Sequence, residues 1–169
     1  MAGACLPGCS GDPRPAGQAT ASVADPDAIA EAGRSYMTGA SGYSPDPARA
    51  RELFEAAAQK GSGAGLLYLG LLAYAEADFK AACGLFAQSA ARGHPGGLRE
   101  YGECQLQGTG GVARDPRAAA DAFRASIAKG GVEAYESLAR LYGSGEGVPK
   151  DPAEQARLLQ KRESLRSGR

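Results

Sequence analysis

LARLYGSGEGVPKDP, residues 138–152, joins the end of one helix to the start of the next through a glycine-rich turn. An aspartate such as Asp151 can accept a hydrogen bond from the free amides of a first helical turn. Proline at the first helical position, as at Pro152, gives up only an N–H that would have no helical partner. The same dipeptide stands at Asp25-Pro26, Asp46-Pro47 and Asp115-Pro116, so one device marks four helix starts.

Outward from this stretch the chain repeats. DPARARELFEAAAQKG (46–61), DFKAACGLFAQSAARG (78–93) and DPRAAADAFRASIAKG (115–130) align without gaps, and a fourth copy begins at Asp151, the starts lying 32, 37 and 36 residues apart. Ala recurs at the fifth place, Phe54, Phe86 and Phe123 at the ninth, and Gly at the sixteenth. Places 5, 8, 9, 12 and 13 share one helical face, made of small residues around one aromatic. The preceding segments also stack: AGRSYMTG (32–39), LGLLAYAE (69–76), YGECQLQG (101–108) and LARLYGSG (138–145). A turn follows the first, third and fourth of these, whereas the second runs from Glu76 through Ala77 straight to Asp78, which accounts for its shorter spacing.

A helix pair of this size cannot bury its apolar face alone, so stacked neighbours must complete the core. Ala57, Ala90, Gly70 and Gly102 let helices approach, with Leu53, Phe54, Leu85, Phe86 and Phe123 filling the space between. In the last helix Lys161 and Arg162 replace small residues, as suits a face that meets water where no fifth repeat follows.

The 169 residues fit one domain by length, and 43% hydrophobic with 22% charged is an ordinary globular balance. Lys plus Arg and Asp plus Glu are equal at 19, so no basic field exists to hold nucleic acid or anionic lipid. The longest apolar run, AGLLYLGLLAYA (64–75), is short of the roughly 20 residues that cross a bilayer and suits a buried helix. Residues 1–24, rich in Gly, Ala, Pro and Ser, predict a flexible lead ahead of a helical domain at 25–169. Within the lead, Leu6-Pro7-Gly8-Cys9 resembles the end of a bacterial lipoprotein signal, where lipid is attached to the cysteine. Neither a basic nor an apolar region precedes it, so the rest of such a signal would lie upstream of Met1; the other reading is a disordered terminus with incidental cysteines.

These repeats resemble the Sel1-like repeat family, a relative of tetratricopeptide repeats. Leu138, Tyr142, Gly145, Gly147, Val148 and Asp151 fall on the family pattern, while Ala139 stands where the pattern has a helix-packing Gly. The resemblance covers about residues 28–166, with repeats near 28–61, 65–93, 97–130 and 134–166. It implies an all-α fold, a right-handed α-solenoid of antiparallel helix pairs with a concave inner surface. It further implies non-catalytic protein binding, and some members are immunity proteins that neutralise secreted toxins.

On the first helices of the pairs, the places that the resemblance implies turn to the concave side hold Ala30, Glu31, Arg34 and Thr38; Leu67, Tyr68, Leu71 and Ala75; Arg99, Glu100, Glu103 and Gln107; and Glu136, Ser137, Arg140 and Ser144. An apolar second repeat rimmed by Arg and Glu suits a protein partner, and Arg34, Leu67, Tyr68, Leu71, Arg99, Glu103, Glu136 and Arg140 are the expected contacts. The competing account is that the missing turn repacks the second repeat and buries Leu67 and Leu71. Cys83 and Cys104 lie about 15 Å along neighbouring antiparallel helices, where they form either a cross-helix disulfide in an oxidising compartment or two buried thiols.

Catalytic signals are thin. Ser126 and Lys129 form an S-x-x-K motif of the kind that penicillin-recognising enzymes use, which would make the chain a β-lactam or cell-wall hydrolase, but no S-D-N or K-T-G accompanies it. His94, the one histidine, reads as an exposed turn residue, and no zinc-ligand spacing occurs. No catalytic residue, metal or cofactor is therefore expected. The expectation is a monomer, until bound, in a bacterial periplasm or cell envelope, with the cytoplasm as alternative. Its partner would be a toxin or effector, or a component of an envelope assembly for which it serves as adaptor or scaffold.

Overall fold

A computed structural model describes residues 25–168, so Cys9 and the proposed lead lie outside the described residues. Each Asp-Pro pair starts a helix. Asp46 accepts from the Arg49 amide at 2.9 Å and Asp151 from the Glu154 amide at 3.0 Å; Asp25 and Asp115 cap in the same way. Asp78 caps without a proline, at 2.9 Å from the Ala81 amide. The helices are α1 (Pro26–Thr38), α2 (Pro47–Gln59), α3 (Gly63–Ala75), α4 (Phe79–Ala91), α5 (Pro95–Gln107), α6 (Pro116–Ala128), α7 (Ala134–Ser144) and α8 (Pro152–Ser167), with a 3-10 turn at Ala40–Gly42 and no strand among the described residues.

Consecutive helices pack against each other along the whole series, giving an α-solenoid of four pairs. The first helices also approach one another, α1 to α3 and α3 to α5, whereas second helices of successive pairs make no comparably close approach among the described residues. The array therefore curves with α1, α3, α5 and α7 on its concave side.

One interlock recurs inside the pairs. Phe54, Phe86 and Phe123 are buried with their rings over Gly33, Gly70 and Gly102 of the partner helix, where a β-carbon would stand 2.6, 2.5 and 2.7 Å from the ring. Close approach, rather than backbone freedom, requires these glycines. The fourth pair changes both partners together: Ala139 replaces the glycine and Leu159, 38% exposed, replaces the ring.

A second interlock ties the open ends of the pairs. The buried Ser89 hydroxyl donates to the Gly63 carbonyl at 2.7 Å, and the Ser126 hydroxyl donates to the Pro95 carbonyl at 2.8 Å. Arg162 takes this place in α8. It does not simply face water as expected; its guanidinium reaches back to pair with Glu136 of α7, leaving a buried Nε without a partner among the described residues. Lys161 does stand exposed.

The missing turn in the second pair leaves the closure intact. Asp46, Asp115 and Asp151 donate their own N–H to Tyr36, Gln105 and Tyr142, and Asp78 donates to Ala73, the same repeat place reached over a shorter arc. Gly39, Gly108 and Gly145 end the other first helices in the left-handed conformation; in the short connection Ala77 takes it instead, at φ 62°. No helix among the described residues is long and apolar enough to cross a membrane.

Candidate functional site

The concave face is mostly a ladder of paired charges. Arg34 pairs with Glu31 at 2.7 Å, and the Tyr68 hydroxyl donates to Glu31 at 3.4 Å across the first two repeats. Arg99 pairs with its neighbour Glu100. Glu103 accepts from Arg140 and from the Ser137 hydroxyl, each at 2.8 Å, which bridges the third and fourth repeats. Solvent screens such pairs, so they fix register more than they add stability.

The second repeat breaks the ladder. At the place of Arg34, Glu103 and Arg140 stands Leu71, 39% exposed. One turn on, Tyr74 is 54% exposed and forms a T-shaped ring pair with Phe79, itself 42% exposed, with centroids 5.1 Å apart. Leu71, Tyr74 and Phe86 form one wall of a groove of about 270 Å³; Glu100, Glu103 and Gln107 of α5 form the other. Cys104 lies at its floor, joined to Cys83 as a disulfide with the Cα atoms 6.1 Å apart, so α4 and α5 are stapled beneath the groove.

Several expected residues are placed differently. Leu67 is half-buried and packs with the Phe86 cluster, while Leu71 stays out, so the two competing accounts of this helix divide between its two leucines. Tyr68 is half-buried too, stacked on Phe54 at 4.8 Å; burial, then Glu31, pushes its hydroxyl pKa up. Ala30 is fully buried, because the approach of α1 to α3 covers it, and Ser137 is buried under its bond to Glu103. Tyr74 and Phe79 were absent from the expected contacts, although Tyr74 follows Leu71 at helical spacing and shares its face.

His94 is not an exposed turn residue. It is half-buried against Gly63 and caps α5, its Nδ1 accepting from the Gly97 amide at 3.4 Å. Burial holds its pKa below the ordinary 6.5, consistent with the neutral ring that this bond needs. Glu100 moves the other way: burial raises its pKa, Arg99 lowers it, and Glu103 raises it further. Ser126, the serine of the S-x-x-K motif, is fully buried and its hydroxyl is committed to the Pro95 carbonyl, with Gly131 packed on it; it has a structural part in the helix-pair interlock.

A family model described as Sel1 repeat matches residues 26–62, 63–94, 95–124 and 132–161. No curated protein matches the chain. Among solved structures, a protective antigen present in uropathogenic Escherichia coli strains, displaying an SLR fold, is similar at a TM-score of 0.67 and 27% identity, over 83% of this chain and 30% of that one. A Sel1 repeat protein from Oxalobacter formigenes is similar at a TM-score of 0.71 and 24% identity, over 84% of this chain and 59% of that one. The chain thus spans less than two thirds of either.

Proposed function

The chain belongs to the Sel1 repeat family, whose repeats generally mediate protein–protein interaction, and on that premise we propose that it binds a protein partner over Leu71 and Tyr74 on its concave face. The observation that carries this is the break in the ladder: where the flanking repeats present paired charges, the second presents exposed apolar and aromatic side chains beside a groove. Aromatic anchors at the centre of a polar rim are the residues that dominate protein interfaces. The work is non-catalytic, as an adaptor or inhibitor. A dedicated inhibitor, such as an immunity protein against a secreted toxin, and a scaffold in an envelope assembly would use the same surface. The Cys83–Cys104 disulfide supports an oxidising compartment, which favours the periplasm or cell envelope.

Cross-linking in the native host tests this with Leu71→Glu and Tyr74→Glu. Both side chains are exposed, so each variant should keep the parental melting temperature while losing its cross-linked partner. Retention of that partner by the folded double variant would refute the surface. Leu67→Glu is a poor probe, because Leu67 packs into the core and its loss would mix unfolding with binding.

A further inference from the structure

We propose that the groove between α3 and α5 seats a basic side chain, an arginine or lysine, presented by the protein partner. This rests on the concave-face reading above and specifies its chemistry. The groove has one apolar wall, Leu71 and Tyr74 with Phe86 behind them, and one acidic wall, Glu100 and Glu103. No Lys or Arg lines it. Its volume of about 270 Å³ lies just below the roughly 300–1,000 Å³ of typical small-molecule pockets, and suits one long side chain.

The register of the repeats shows why a cation belongs there. Arg34, Leu71, Glu103 and Arg140 occupy one repeat place in succession. Glu103 therefore has Arg140 on one side, bonded at 2.8 Å, and on the other side Leu71, which offers its carboxylate no cation. An entering guanidinium or ammonium takes up that place. Its aliphatic stem would lie along Leu71 and Phe86, the packing that long basic side chains favour. Tyr74, 54% exposed and lining the groove, brings an aromatic ring beside the cation. Glu100 and Glu103 repel each other within the partly buried groove, and a cation relieves that repulsion. A carboxylate in the same position would meet two like charges, and a purely apolar residue would take solvent from both acids while donating no hydrogen bond in its place.

The test titrates isotope-labelled full-length protein with three acetylated, amidated pentapeptides, Gly-Leu-X-Leu-Gly, in which X is arginine, norleucine or glutamate. The expected result is that the arginine peptide shifts the amide resonances of Leu71, Tyr74 and Gln107, more strongly than the other two and less so at about 0.5 M salt. Glu100→Gln should weaken it by about three- to fivefold with the fold unchanged. Equal binding of the norleucine peptide, or shifts confined to other helices, or no shift with the arginine peptide, would overturn the proposal. The two readings part cleanly: if Leu71→Glu abolishes cross-linking of the native partner but Glu100→Gln and high salt leave it unchanged, the face is the docking site and its anchor is not basic.

Discussion

Three hydrogen atoms, the missing β-carbons' places at Gly33, Gly70 and Gly102, set how closely each first helix meets the phenylalanine of its pair. At Gly102 an added methyl would lie 2.7 Å from Cε1 and 3.0 Å from Cδ1 of Phe123, a ring that is itself fully buried and cannot swing away. Gly102→Ala should therefore cost about 1–3 kcal/mol by overpacking, despite the better helix propensity of alanine. Gly84, in the middle of α4, meets nothing within 4 Å of an ideal β-carbon. Gly84→Ala should stabilise by about 1 kcal/mol. Urea unfolding of both variants checks the pair, and a stabilised Gly102→Ala would show that the ring is not a fixed obstacle. That small residues and one phenylalanine recur on the packed face is legible in the repeats. Which glycine sits under which ring is not, since the contact joins residues 16 to 21 places apart on helices whose rotation the pattern leaves free.

Among the elements, the shortened connection between α3 and α4 has the widest consequences. In the third and fourth repeats the glycine turn reaches back over the preceding pair: Gly110 lies against the Phe79 carbonyl and Cys83, and Gly147 against Pro116 and Arg117 at the start of α6. The second repeat has no such turn, and residues 46–49 at the start of α2 are exposed. The disulfide then links α4 to α5 across the middle of the array, with a sequence separation of 21 residues. A crosslink closing a loop of that length stabilises by about 3 kcal/mol, chiefly by restricting the unfolded chain. Cys83→Ala with Cys104→Ala should lower stability by about that amount under oxidising conditions and leave reduced protein much less affected; equal midpoints for parent and variant in non-reducing urea would contradict the staple. Sequence alone placed the two cysteines at matching depth on neighbouring helices and left the choice between bond and thiols open, because a shift of one residue in helix rotation separates the two outcomes.

At the scale of the molecule, stability in a solenoid is a sum over repeats and their interfaces, so the ends are weakest. The last helix shows this in its residues: of the sixteen in α8 only Leu158 is buried, and Arg162 holds on through an exposed Glu136. Hydrogen exchange should therefore open α8 first and α4 and α5 last, since a pair covers each of the two inner pairs on either side and the disulfide joins α4 to α5. Exchange that is uniform from α1 to α8 would mean one cooperative unit instead. Helix starts, the four-pair count and the all-α fold could be read from short stretches such as residues 138–152, because caps, turns and helical faces depend on residues within one or two turns of each other. Leu67 and Leu71 lie one turn apart and look alike to any local rule, yet the first is packed and the second exposed. The difference comes from α5, which lies over one and leaves a groove beside the other; exposure is a property of neighbouring repeats in space, and no periodicity within a helix encodes it.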